Sequence, residues 1–156
     1  MTTLCTVLST RIPDMVARWE ALVDRAPWSN LSQSDRLDEL PIFLEHLLDA
    51  TICSTPKNGD PRPMLDAATR HGAQRRRLGL DYDHVMEESA LLRRALWEFA
   101  HDHRDEYHEM IRVDSALTVA LMASLRGYAK PELEARGEWE STLPRLINDW
   151  SSLLRN

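Results

Sequence analysis

Apolar residues recur every three or four positions along most of the chain, which is the spacing of one face of an α-helix. The first predicted helix runs from about residue 13 to 26, with Met15, Trp19 and Leu22 on its apolar face. A second follows from about residue 35 to 53. Pro41 lies inside it and should kink or restart it, because the proline ring removes a helical hydrogen bond and clashes with the previous turn.

The middle of the chain continues the same periodicity. We expect a third helix over about residues 64–78, ended by Gly79, a fourth from an Asp81 or Asp83 cap to about 103, and a fifth over about 105–129. No segment shows the alternation that is typical of a strand. The pattern therefore predicts an all-α protein, a bundle of five to seven helices.

The last segment opens at Pro131 and is interrupted at Gly137 and Pro144. Its apolar residues follow one another at spacings of four and three, which is the seam of a coiled coil: Trp139, Leu143, Leu146, Trp150 and Leu153. The same spacing fits a terminal helix that folds back on the body. We therefore divide the chain into a main domain, residues 1–130, and a C-terminal helical segment, residues 131–156, which either folds back or leads to an output domain.

Composition and charge narrow the class of protein. The chain has 156 residues, of which 43% are apolar, and this suits one soluble domain. Its net charge is −6, and residues 79–156 hold 9 basic and 15 acidic residues. An acidic balance argues against nucleic-acid binding, which needs a basic face.

The two cysteines and the lengths of the apolar runs indicate where in the cell the protein is expected. Cys5 and Cys53 have no metal-binding spacing, so we expect reduced packing residues, with a single disulfide as the alternative. The N-terminus lacks the features of a signal peptide. The longest uncharged apolar run, 116–125, has ten residues, whereas a membrane span needs about 20. We expect a cytoplasmic protein without a membrane segment.

The six histidines raise the question of a metal. Asp81 and His84, like Asp105 and His108, place a carboxylate and an imidazole three residues apart, but both pairs stand at predicted helix starts among charged residues. We interpret them as polar helix ends and expect no metal and no cofactor. The chain also has no phosphate-binding loop, nucleophile elbow or dinucleotide turn, so we expect no enzyme.

A polar pair interrupts the apolar face of the third predicted helix. Met64, Ala68, His71, Arg75 and Leu78 follow one another at helical spacing, so His71 and Arg75 lie among apolar residues. A buried arginine must be paired, because an unpaired buried charge is too costly.

Two interpretations of this pair stay open. One is a structural bridge to a neighbouring carboxylate such as Glu87 or Glu88. The other is an anchor for an anionic ligand or a switchable contact between helices. Arg93 lies four residues before Trp97, close enough for stacking of the guanidinium on the ring. We take His71, Arg75, Arg93 and Trp97 as ligand or switch candidates.

The fifth predicted helix is small or apolar almost all round, so it is either central in its domain or shared with another subunit. We take it, with the C-terminal seam, as a candidate homodimer interface. The candidate residues are Leu117, Ala120, Leu121, Ser124, Trp139, Leu146 and Trp150.

These residues also resemble a known family. His71-Gly72-x-x-Arg75-x-x-x-Gly79, followed by Leu91-Leu92-Arg93-Arg94-x-Leu96, is similar to the motif HGxxRxxxG…LLRxxL of the RsbRD N-terminal domain family. Residues 15–23 resemble that family's opening helix, and residues 31–48, with Pro41, its second. The resemblance covers roughly residues 12–130.

The resemblance implies a haem-free, globin-like helical fold, usually dimeric. The family serves as the input module of stressosome co-antagonists and of some sensor histidine kinases. This chain has Glu88-Ser89 where Glu-Tyr is common, and shows no kinase or antagonist output domain. We therefore expect a non-catalytic sensory module with a signalling partner or fused output domain and an unidentified small-molecule ligand. The alternatives are a haem- or metal-binding helical sensor or carrier, and a small helical enzyme.

Overall fold

The computed structural model describes residues 2–53, 59–103 and 106–154. Within these ranges the chain is helical and has no strand. The helices are α1 (Leu4–Thr10), α2 (Ile12–Leu22), α3 (Gln33–Leu37), α4 (Leu40–Ala50), α5 (Arg62–Arg77), α6 (Tyr82–Phe99), α7 (Tyr107–Tyr128), α8 (Lys130–Ala135) and α9 (Thr142–Leu153). Short 3₁₀ turns lie at Trp28–Asn30 and Trp139–Ser141. The all-α prediction is confirmed, with more helices than the five to seven expected.

The second predicted helix is two helices. It breaks at Asp38, which has a positive φ of 48°, and restarts as α4 with Pro41 in the first turn. Proline is tolerated there because the first N–H groups of a helix have no intrahelical partner. Ser32 caps α3, its hydroxyl accepting a hydrogen bond from the Asp35 N–H at 3.1 Å. The break matters because it places the C-terminus of α3 next to α5.

The crossing of α5 and α7 forms the centre of the fold. A Cβ atom at Gly72 would lie 1.7 Å from the carbonyl oxygen of Ser124, and one at Gly127 would lie 2.0 Å from that of Thr69. The Ser124 hydroxyl also donates to the carbonyl of Ala68 at 2.9 Å. The two backbones are therefore in contact, and the small residues of α7 serve this crossing within one chain.

The other helices cover this crossing. Helices α2, α4 and α6 contribute large buried side chains to a common core, among them Met15, Trp19, Leu44 and Leu96. The carboxylate of Glu106 accepts hydrogen bonds from the Leu4 N–H at 2.9 and 3.0 Å and so satisfies the N-terminus of α1, a helix the sequence pattern did not indicate. Among the described residues no helix is both long and apolar enough to cross a membrane.

The C-terminal segment folds back on the body. Leu146, Trp150 and Leu154 are buried in the common core, and α9 packs on α7 and α5. Gly137 interrupts the segment as expected, with φ 69°. Pro144 does not interrupt it, because it stands in the first turn of α9, where its missing N–H costs no helical hydrogen bond.

The structure joins the two cysteines in a disulfide. The Sγ atoms of Cys5 and Cys53 are 2.08 Å apart and their Cα atoms 5.3 Å apart. The expectation of reduced thiols is therefore wrong for this structure. The physical reason is the packing of α1 against α4, which brings together two residues 48 positions apart in sequence.

Candidate functional site

Among the described residues Arg75 is the most deeply buried charged side chain, with none of its surface exposed. Its Nε donates to Glu88 at 3.0 Å, Nη1 donates to the Asp35 carbonyl at 2.5 Å and to Gln74 Oε1 at 2.9 Å, and Nη2 donates to the Arg36 carbonyl at 2.6 Å and to Glu88 at 3.0 Å. All five N–H groups of the guanidinium are thereby used. One side chain joins the C-terminus of α3 to α5 and α6.

His71 lies one turn before Arg75 and connects two carboxylates. Its Nε2 is 2.8 Å from Glu88 Oε1, and its Nδ1 is 3.2 Å from Asp38 Oδ2. A neutral imidazole has only one N–H, so it could donate to only one of these oxygens, whereas the imidazolium donates to both. The geometry therefore fits protonated His71, and with it Asp38, His71, Arg75 and Glu88 form a charge-balanced network.

The titration behaviour follows from this arrangement. Burial disfavours the charged form of His71, but the charge of Glu88 and the hydrogen bonds that His71 donates to both carboxylates outweigh it and raise the pKa of His71. Burial acts against ionised Glu88 too, and its pKa is nevertheless lowered by His71 and Arg75. Burial also acts to raise the pKa of Asp38, but the hydrogen bond that its carboxylate accepts from His71, with the charges of His71 and Arg75, lowers that pKa.

The backbone of Asp38 is the strained point of the network. Its φ of 48° and ψ of −121° lie outside the regions that a residue with a side chain ordinarily adopts, at a cost of about 1–3 kcal/mol. Asp38 is also the residue at which α3 ends and from which the chain turns into α4. The contact with His71 therefore holds a strained junction between two helices in place.

A small cavity of about 70 Å³ lies beside this network. Its wall is mostly apolar and is formed by α2 to α7, with Trp19, Phe43, Leu92 and Leu121 among the lining side chains. His71, Asp38 and Glu88 form part of its polar edge, together with Ser89. The network and the cavity therefore form one site at the junction of α3 and α4 with α5 and α6.

The structure brings together two of the four switch candidates. His71 and Arg75 meet at Glu88, which confirms the predicted bridge to a carboxylate on a neighbouring helix. Glu87, the other carboxylate considered, instead forms an ion pair with Arg25.

Arg93 and Trp97 belong to a second cluster between α6 and α7. Arg93 Nε lies 2.9 Å from Asp114 Oδ1, its Nη2 donates to the Thr118 hydroxyl at 2.8 Å, and Trp97 Nε1 donates to Asp114 at 2.9 Å. Both side chains therefore contact the carboxylate of Asp114. We expected the Arg93 guanidinium to stack on the Trp97 indole, but the cation–π contacts of the described residues do not include this pair. This cluster shares no partner with the His71 network in the described part of the chain.

Most of the dimer-interface candidates are interior residues of the single chain. Those that are buried are Leu117, Ala120, Ser124, Leu146 and Trp150. Leu121 is half-buried and lines the cavity, and Trp139 is half-buried with the Lys130 ammonium 5.1 Å from its ring centroid. Within the single chain, α7 crosses α5 and α9 packs on both, so these five side chains contribute to its own core.

The remaining candidates have structural partners. Two further arginines of α5 are also paired, Arg70 with Glu39 at 2.9 Å and Arg76 with Glu132 at 2.6 Å. His84 Nδ1 accepts a hydrogen bond from the Asp81 N–H at 3.1 Å, as expected for a helix cap. Asp105 lies outside the described residues. Within the described ranges no three metal-ligating side chains converge.

Sequence reasoning missed Asp38, Ser89 and the cavity. One feature of the sequence could have indicated a helix break at Asp38. Aspartate tolerates a positive φ better than most residues, and Asp38 stands three positions before Pro41. Ser89 stood out only as a departure from the Glu-Tyr that is common in the family, and nothing in the sequence indicated the cavity beside it, because the cavity depends on how six helices meet.

Comparisons with protein-family models, with curated protein sequences and with solved structures find no match to this chain. Proposals on function therefore depend on the geometry of the site and on the motif resemblance described above.

Proposed function

We propose that the chain is a non-catalytic, haem-free, globin-like sensory or regulatory module of bacterial signal transduction, of the stressosome or two-component type. In this proposal it acts as a cytoplasmic homodimer through a signalling partner or a fused output domain. The input changes the packing of α3 and α4 against α5 and α6. The motif resemblance supports the class of protein, and the His71 network supports the mechanism.

The observation that supports the proposal most strongly is the placement of the network. A bistable helix junction needs a contact that holds one arrangement and can be released. His71 bridges strained Asp38 to buried Glu88 at 3.2 and 2.8 Å, and Arg75 links the carbonyls of Asp35 and Arg36 to the same carboxylate. Strained backbone is often found where switching occurs.

The mechanism requires two packings with a small difference in free energy. With His71 protonated, the junction is held. Loss of the proton, or an input that draws Asp38 away, removes one of the two ring contacts and allows the strained junction to relax. An input shifts such an equilibrium only by its differential affinity for the two states.

A fusion experiment tests the proposal. The chain is joined through its C-terminal segment to a histidine kinase core, and autophosphorylation is measured between about pH 6 and 8, where a histidine titrates. We expect activity to change at least about five-fold over this range, the lower end of typical allosteric coupling. His71→Gln should abolish the change, and Arg77→Ala, which removes an exposed arginine at the C-terminal end of the same helix, should retain it. A pH profile that His71→Gln leaves intact would contradict the proposal.

The disulfide bears on the proposed location. Cytosolic disulfides are rare because cellular thiol systems keep cysteines reduced. Trapping of free thiols in intact cells measures the state of Cys5 and Cys53. A cytoplasmic protein should be trapped with both thiols free, and quantitative recovery of the oxidised form would contradict that location.

A further inference from the structure

We propose that the cavity beside the His71 network binds a small, uncharged, mainly apolar molecule that has one hydroxyl group. This inference deepens the proposed function, on which it rests, by naming the chemical class of its ligand. It follows from the size of the cavity, the pairing of its charges and one available hydroxyl group.

The cavity is small. Its volume is about 70 Å³, roughly half that of an engineered cavity of ~150 Å³ that binds benzene. A ligand of about three to five non-hydrogen atoms therefore suits it. The wall is predominantly apolar, with Trp19, Phe43, Leu92 and Leu117 facing the space, and it opens partly to solvent. A hydrocarbon portion is accordingly favoured over a polar one.

The charged residues of the lining exclude a charged ligand. Each of them already has a partner of opposite charge within the chain, so a ligand charge would enter an apolar space with no free countercharge. The pairs are Arg36 with Glu20 at 3.4 Å, Glu39 with Arg70 at 2.9 Å, Asp38 with His71 at 3.2 Å, and Glu88 with Arg75 at 3.0 Å.

Ser89 provides the polar contact. It lines the cavity from α6, and its hydroxyl has no hydrogen-bond partner in the described part of the chain. The other serine of the lining, Ser124, already donates to the Ala68 carbonyl. A ligand hydroxyl can both donate to and accept from the Ser89 hydroxyl, so a single bond there would fix its orientation.

The position of the cavity connects binding to regulation. Leu37, Leu40 and Phe43 face it from the strained junction of α3 and α4, while Val85 and Leu92 face it from α6. A molecule in this space contacts both sides of the proposed switch. It would therefore bind the two packings with different affinity, which is the condition for a regulatory ligand.

The test is a titration of the full-length, ¹⁵N-labelled chain with 1-butanol, followed by NMR. The reporter is the indole N–H of Trp19, which lines the cavity and donates to the Glu88 carbonyl at 3.2 Å. The internal reference is the indole of Trp150, which does not line the cavity. Butyrate and butylammonium serve as charged probes of nearly the same size. Ser89→Leu fills the space, and Ser89→Ala keeps the space but lacks the hydroxyl.

We expect a saturable shift of Trp19 with 1-butanol and none of Trp150. Ser89→Ala should weaken binding about five-fold, the usual effect of losing one neutral hydrogen bond, and Ser89→Leu should abolish the saturable shift. Both charged probes should bind at least about ten-fold more weakly, because their charge would be buried without a partner.

Three results would overturn the inference. They are a shift of Trp19 that does not saturate, an unchanged affinity in Ser89→Ala, or equal or tighter binding of a charged probe. If Ser89→Leu does not fold, the affinity of Ser89→Ala for 1-butanol and the binding of the charged probes still test the proposed ligand class. Failure here is distinguishable from failure of the proposed function, because the kinase fusion is assayed without ligand.

Discussion

Replacing Arg75 by methionine should destabilise the protein strongly, because it leaves a buried carboxylate with one partner fewer. Arg75 is fully buried and Glu88 is 5% exposed. In Arg75→Met, the Glu88 carboxylate keeps only its contact with His71. The Arg36 carbonyl loses its donor, and the Asp35 carbonyl keeps only the hydrogen bond from Gln74 Nε2 at 3.1 Å. Methionine is an apolar side chain of comparable length, so the destabilisation comes mainly from the loss of the charge and of the hydrogen bonds.

The expected magnitude follows from the burial of the pair. Breaking a buried ion pair by removing one partner costs about 3–5 kcal/mol. A domain of this size has a free energy of unfolding of about 5–15 kcal/mol, so the variant loses a large share of its stability. Removing both charges in Arg75→Met/Glu88→Leu should recover about 1–3 kcal/mol, because no uncompensated carboxylate then remains.

Urea denaturation with the disulfide intact measures these differences. Tryptophan fluorescence and far-ultraviolet circular dichroism should give coincident transitions, and an unchanged slope shows that the midpoints report stability. The matched control is Arg70→Ala, which removes an arginine of the same helix from an exposed pair with Glu39 and should cost less than about 1 kcal/mol.

Two outcomes would refute the reasoning. The first is a cost for Arg75→Met no larger than that of the Arg70→Ala control, which would mean that the guanidinium is not needed at its buried position. The second is a double variant that is no more stable than Arg75→Met, which would mean that the buried carboxylate is not the cause of the destabilisation.

Three further predictions concern the crossing, the disulfide and pH. Gly72→Ala should lower the free energy of unfolding by about 3 kcal/mol, the upper end of the usual cost of overpacking, because its Cβ would lie 1.7 Å from the Ser124 carbonyl oxygen. A melting temperature equal to that of the wild type would be incompatible with the crossing. Reduction of Cys5–Cys53 should lower the free energy of unfolding by about 4 kcal/mol, because the disulfide joins residues 48 positions apart; equal urea midpoints with and without reductant would argue against this. Because the pKa of His71 is raised in the folded state, its contribution to stability should be complete below about pH 6.5 and lost as the pH rises through the raised value. Urea denaturation at several pH values measures this loss. If the free energy of unfolding of His71→Gln falls with pH in parallel with that of the wild type, His71 is not its source.

The sequence pattern predicted the parts of this fold that depend on local spacing. Apolar periodicity predicted the helical class, Gly79 indicated where α5 ends, and Asp81 indicated where α6 begins. It also indicated that Arg75 needs a carboxylate from a neighbouring helix, because an arginine among apolar positions cannot stay unpaired. These inferences need only the geometry of one helix.

The parts that could not be predicted depend on how helices meet. The small residues of α7 suggested a subunit interface, but Ser124 and Gly127 serve the crossing with α5 inside one chain. The pairing of Cys5 with Cys53 and the cavity likewise arise from tertiary packing. Asp38 shows the same limit, since its strained backbone depends on His71, which lies 33 residues away in sequence.

In the proposed mechanism the protonation of His71 is coupled to the packing of α3 and α4. A pH titration of the ¹⁵N- and ¹³C-labelled chain by NMR tests it most directly, following the His71 ring and the backbone amides of Gln33–Leu37 and Leu40–Ala50 together. This coupling predicts that these amides shift with the midpoint of the His71 ring, and that they lose this transition in His71→Gln. A His71 ring that titrates while the amides of both helices stay unchanged would contradict it.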